Sequence, residues 1–464
     1  MHNNKWRAPL ILISLLAAVL LPIVFASHAD VKKGQAQFDA QNYAGALNSY
    51  KRAARFLFWR DDLWEQVGIS AGLNGNPTEA ITYLKLAPKL SEQGWLILGT
   101  SYFNTGDIPS AIDAYEQGSQ VYDSTSLYAG LAYIYRQQKN WAAESEALKN
   151  QTRLGTEDVY AHYRLGLLLT FLEPDKALPE LMLASSLDPE IDPAVQTLRA
   201  ALNVSSTQDD SSQQMLTIGR ALGLVQEWDL AIVAFEKAVT FNADNAEAWA
   251  WLGEAKQNKG LDGSDELDRA VALDDESIII RALRGLFWER QENYPRMLAE
   301  YLSAAESEPE NPAWQASIGD AYFKNGDIIS ALAAYQNATE LAPLNSIYWR
   351  LLAVFCAENG IHMEDIGLPA AQRAVELAPD DPFALDALGW SYLSSGRYAN
   401  AEQTLLDVIA RYPKHFPAHI HLAMTYISQG NRTAALNELT YVHATDIGGA
   451  DGAFAEQLIR KYFP

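Results

Sequence analysis

Cysteine is all but missing: Cys356 is the only one in 464 residues. That excludes an intramolecular disulfide framework and a cysteine-based zinc site, so the fold has to be held by packing. With no second thiol in reach, Cys356 itself reads as a small buried hydrophobe. Positive charge is also scarce. Lys and Arg number 35 against 58 Asp and Glu, a net of −23, which argues against nucleic acid and suits a basic partner. The sequence lacks a glycine-rich phosphate loop, a nucleophile elbow and a helical zinc signature, and nothing in it calls for a cofactor or a small-molecule substrate. It reads as a chain that is not an enzyme. Long apolar runs are rare too, and one stands out: the nineteen residues Ala8–Ala26 carry no charge and follow Lys5 and Arg7. That length crosses a bilayer. Residues 1–29 are therefore expected to be a signal anchor, leaving the chain membrane-tethered and extracytoplasmic, or a signal peptide cleaved near residues 26–29. Cleavage would remove only Lys5 and Arg7 among the charged groups and take the net to −25.

A fixed period fills the rest. Gly285 and Gly319, Gly219 and Gly253, Gly34 and Gly68, and Gly389 and Ala423 are each 34 residues apart. The pattern is clearest from Pro312 to Asn345, where Trp314, Ile318, Gly319, Tyr322, Gly326, Asp327, Ala331, Tyr335, Ala338 and Pro343 hold the marked positions. Small residues at the eighth and twentieth positions let two helices approach closely, and Tyr322 and Tyr335 fill the space around that contact. Gly326-Asp327 supplies a turn and a helix cap, and Pro343 a stop.

This pattern resembles the tetratricopeptide repeat, and Leu385–Leu393 is similar to units of bacterial envelope repeat proteins. The resemblance implies an all-α fold, an α-solenoid in which about a dozen antiparallel helix pairs wind into a superhelix, here behind an N-terminal hydrophobic helix. Looser units centred on Gly68, Gly99, Gly130 and Gly166 place an N-terminal array at residues 30–190. Residues 191–211 read as an irregular helix and a polar linker unable to bury a face, 212–447 as a C-terminal array, and 448–464 as a capping helix with Phe454, Leu458 and Ile459 on its inner side.

In that family the second, fifth, ninth, twelfth and thirteenth positions of each first helix line the concave surface. The resemblance therefore implies a partner-binding groove in the last three units at Arg350, Val354, Phe383, Asp386, Trp390, Leu393, Ile420, Met424 and Ile427, apolar enough to hold a peptide, with Trp390 as an anchor. The alternative reading of the same residues is packing against neighbouring units or the capping helix. His415, His419 and His421 are the candidate metal ligands; on a helix His419 and His421 point to different faces, which favours pairing with local carboxylates instead. The expected function is a non-catalytic scaffold for a protein or peptide partner, organising a complex at a membrane. The alternatives are a substrate-presenting accessory subunit of an enzyme, or a self-associating structural solenoid.

Overall fold

The computed structural model describes residues 7–464, with side chains described at Ala18 and from Leu21 onward. Among the described residues the secondary structure is helical throughout: twelve antiparallel pairs and two single α-helices. The first five pairs are Arg7–Asp39 with Tyr43–Phe56, Asp62–Leu73 with Pro77–Leu84, Glu92–Asn104 with Ile108–Val121, Thr125–Gln137 with Trp141–Leu154, and Val159–Leu172 with Pro174–Leu187. The single helix Asp192–Ser205 follows. The next pairs are Ser211–Leu224 with Trp228–Phe241, Ala246–Asn258 with Ser264–Leu273, Ile278–Arg290 with Tyr294–Ser307, and Pro312–Lys324 with Ile328–Leu341. Ser346–Asn359 with Leu368–Leu377, Pro382–Ser394 with Tyr398–Arg411, and Phe416–Gln429 with Arg432–Thr445 complete the pairs, and Ala450–Tyr462 closes the chain. Two compact units divide between Ala238 and Val239.

The small-residue frame works as its chemistry suggests. At Gly99, Gly219 and Gly319 an aromatic ring of the second helix, from Tyr115, Phe235 and Tyr335 respectively, lies where a Cβ would be. Tyr335 also donates its hydroxyl to Asp320 at 2.8 Å, satisfying the one polar atom it buries. Gly326 turns at φ +84° and Asp327 caps the next helix by accepting from the Ser330 amide at 3.0 Å. First helices begin on the same device, with Asn311, Asn345 and Asp381 each accepting at 3.0 Å from the amide two residues on.

Two expectations are corrected. The stretch 191–211 is mostly the ordered helix Asp192–Ser205, which buries Val195, Leu198 and Leu202 and leaves only 206–210 outside helices. Ser205 within it is buried and donates to Leu202 O, and just beyond it Ser212 is buried and donates to Ala238 O, while Ser206 and Ser211 stay exposed. At the C-terminus the last helix caps the cluster of Ile420, Leu439 and Val442 through Ala455 and Leu458, while Phe454 faces solvent. The unit at Ser346 carries an extra turn, a π-helix over Met363–Gly367, where Gly367 packs against the fully buried Cys356. Burial pushes that thiol up to about 11, so it stays protonated and inert.

The first helix runs unbroken over Arg7–Asp39 with Pro22 inside it. Most side chains of the run Ala8–Ala26 lie outside the described residues. Among the described residues no helix is long and apolar enough to cross a membrane.

Candidate functional site

The first helices of the last three pairs pack side by side, so the fifth position of one meets early positions of the next. Asp386, one turn after Phe383 on Pro382–Ser394, is buried and accepts from Nδ1 of His421 at 2.8 Å. A carboxylate only accepts, so that ring nitrogen carries the proton. Nε2 of His415 stands 3.7 Å from the other carboxylate oxygen, an ion-pair distance too long for a hydrogen bond. Burial alone would raise the Asp386 pKa; His421 and His415 outweigh it and hold the carboxyl down at about 2. One turn further, Trp390 stacks on the His421 ring at 4.4 Å and 22°. Phe383 meets His415 edge-on at 4.8 Å, and the guanidinium of Arg350 lies 5.5 Å from its ring centre. The Nε of Arg350 is buried without a hydrogen-bond partner among the described residues.

The nine groove residues therefore separate. Arg350, Phe383, Asp386 and Trp390 come together with His415 and His421 as one layered cluster. Phe383 is 53% exposed and offers surface, whereas Asp386 offers none. Val354, Leu393 and Trp390 are half-buried, and Leu393 packs into the cluster of Leu385, Leu405 and Leu422. Ile420 is 3% exposed and belongs to the terminal cluster, against which Met424 and Ile427 also pack. Ile420 is core and leaves the groove; the capping helix closes over the site's far end.

The three histidines divide between two carboxylates. His419 faces Glu438 at 2.6 Å through Nδ1 and Pro413 O at 3.1 Å through Nε2, on the opposite side of the helix from His421. Among the described residues no group of three or more His, Cys, Asp and Glu could hold a metal ion. Pairing across repeats escaped the sequence reading, although a signal exists: His421 follows Asp386 by one repeat period plus one residue.

Because the folded carboxyl of Asp386 lies below its ordinary 3.8, its ionisation contributes stability that is complete above about pH 4 and lost as pH falls through about 2. Asp386→Asn is expected to cost about 2 kcal/mol at pH 7. Urea unfolding across pH checks this: the gap between variant and parent should close on going from about pH 4 to pH 2.

The sequence model of the tetratricopeptide repeat matches residues 316–382 and 387–446, which include most of this cluster. Tetratricopeptide repeat protein 37 of Xenopus laevis is 24% identical over 243 residues, 47% of this chain and 13% of that protein. A peroxisomal targeting signal receptor of Kluyveromyces lactis is 22% identical over 220 residues, 39% of this chain and 38% of that protein. The chain thus aligns with well under two thirds of either relative. Among solved structures, yeast Tom70 is 13% identical with a TM-score of 0.43 over 94% of this chain and 95% of its own. A tetratricopeptide repeat protein of Parabacteroides merdae is 13% identical with a TM-score of 0.45, over 54% of this chain and 98% of its own.

Proposed function

We propose that this chain, whose residues 316–382 and 387–446 match the tetratricopeptide-repeat model, is a non-catalytic scaffold of that family. It binds a protein or peptide segment on the first helices of the pairs at Ser346, Pro382 and Phe416. The observation that carries this is Phe383. Its ring is more than half exposed yet held on its face by Arg350 and on its edge by His415, an apolar contact ordered before any partner arrives. Pre-organisation of that kind lowers the entropic cost of binding, and aromatic anchors beside an arginine are what such interfaces use. The surplus of acidic groups favours a partner with basic character around the anchor. One relative is named as a receptor for a targeting signal, and a short segment of another chain is the ligand proposed here as well. We place the scaffold at a membrane, tethered by the run Ala8–Ala26 with the repeats on the extracytoplasmic side, on the strength of that uncharged run and the basic residues before it.

The test uses a photo-crosslinking residue at position 383 in cells, with mass spectrometry of the products. Recurrent links to one other protein support the scaffold; links only to further copies of this chain would replace it with a self-associating array. Phe383→Glu is then expected to weaken capture of that partner about tenfold or more. Its melting temperature should stay within about 2 °C of the parent, since more than half of the residue is already exposed in the fold. Trp390→Glu is a poorer probe, because it also breaks the stack on His421.

A further inference from the structure

We propose that the Phe58-Trp59 loop is a second membrane contact, seated in the interfacial layer of the bilayer beside the N-terminal helix. The proposal rests on the tethering reading above and adds where the first repeat touches the lipid. Two contacts set the register of the first helix pair. The Tyr50 ring fills the space a Cβ on Gly34 would take, at 2.8 Å, and Arg52 donates to Asp30 at 2.8 and 3.3 Å. In an antiparallel pair each step forward along Tyr43–Phe56 is a step back along Arg7–Asp39. Phe56 therefore comes level with residues 26–28, and the loop that follows comes level with the end of the run Ala8–Ala26. Packing agrees: Leu57 is fully buried in the cluster against which Val24 packs. At about 1.5 Å per residue, the loop lies within roughly 5 Å, along the helix axis, of the point where the uncharged run ends.

What this end of the pair presents to solvent is apolar. Phe25 is 73% exposed, Phe58 70% and Trp59 54%, with Leu21 and Phe56 exposed beside them. The Phe58 and Trp59 rings are packed edge to face at 5.2 Å and 80°, so the loop holds them outward as a unit. Single exposed hydrophobes need no explanation, but five gathered at one end of one helix pair do. Their position decides the occupant. They continue, at the same level, the surface of a helix whose preceding residues are apolar and uncharged, and aromatic rings favour the depth at which such helices leave the hydrocarbon. Arg55 lies on the same turn as Phe56, and Arg60, paired with Asp62, follows Trp59; both can keep their charges in the headgroup layer while their stems lie along the apolar surface. A helix alone leaves the array free to swivel about its axis. A helix and a loop together set one orientation of the first repeat against the membrane.

The experiment uses the full chain with buried Cys356 replaced (Cys356→Ala), reconstituted in phosphatidylcholine–phosphatidylglycerol vesicles. Single spin labels go at position 58 (Phe58→Cys), at position 21 within the helix (Leu21→Cys), and at position 160 (Tyr160→Cys), an exposed site elsewhere in the same half of the chain. The collision rate with oxygen is compared with that of a water-soluble nickel chelate. A several-fold higher oxygen-to-nickel ratio at 58 than at 160, with 58 shallower than 21, is the expected result. A label at Arg60→Cys keeps both aromatics and should give the same ordering. If 21 reports lipid while 58 matches 160, the tether stands and the loop contact is overturned. If 21 and 58 both report water, the tethering reading fails and takes this proposal with it. A label at 58 shielded from both reagents would mean a protein partner or a second copy sits there, and would overturn the bilayer as occupant.

Discussion

Replacing Glu144 with alanine is expected to destabilise the N-terminal half of the chain by about 3–5 kcal/mol. Glu144 and Arg164 are both buried, on the second helix of one pair and the first helix of the next. They meet in a two-pronged hydrogen bond, Nε to Oε1 at 2.7 Å and Nη2 to Oε2 at 3.1 Å. The Trp141 ring lies 5.5 Å from the guanidinium carbon and keeps water off it. Arginine cannot shed its proton to escape burial, so without Glu144 it keeps a full charge in an apolar setting. Glu227 stands 3.5 Å away and gives partial relief only, being partly solvated and out of hydrogen-bond reach. The cost belongs to the orphaned charge rather than to the pair. The double change Glu144→Leu with Arg164→Met should therefore recover most of the loss. Urea unfolding measures the magnitude, and hydrogen exchange should place the lost protection between 125 and 241. A loss below about 1 kcal/mol for Glu144→Ala would show the pair to be solvated.

That pair marks the boundary of what the sequence discloses. The repeats are legible because their determinants are local: Gly319 and Tyr335 belong to one unit, and Asp327 caps the helix it begins. Contacts between units are harder to see. Glu144 with Arg164 and Asp386 with His421 join residues of different units, and neither type nor spacing within one unit announces them. The groove suffered from the same blindness. Family positions name the residues that point away from a unit's own core, yet the neighbouring unit claims some of them. Asp386 is taken by two histidines and Ile420 by the capping helix, while Phe383, at the start of its helix, keeps its surface. Polarity misled in the other direction at Ser205 and Ser212. Hydroxyls bury readily where a carbonyl is within reach, and each has one. The helical spacing of Phe454 and Leu458 points both inward, but Ala455 shares that face equally well, and the small residue makes the close approach to the last repeat.

The sharpest steric prediction concerns the pair Ala246–Asn258 and Ser264–Leu273, where backbone rather than side chain fills the contact. Gly253 and Gly263 face each other so closely that a Cβ on Gly263 would fall against the carbonyl oxygen, carbonyl carbon and Cα of Gly253. In the other direction a Cβ on Gly253 would lie 2.8 Å from Leu267 Cγ and 2.9 Å from Gly263 O. A side chain can rotate away from an intruding methyl; a helix backbone has to move as a body. Gly263 sits at φ −117°, where alanine is at ease, so any penalty is contact and not conformation. Gly263→Ala is accordingly expected to cost about 3 kcal/mol, at the upper end of overpacking. Gly260, three residues earlier in the same turn, supplies the opposite case. Its φ is +69° with open space around the missing Cβ, so Gly260→Ala carries strain alone and should cost about 1 kcal/mol. Unfolding midpoints of the two variants decide between the causes. If Gly260→Ala proves the worse, the two helices can separate cheaply, and close backbone approach is not what holds this repeat.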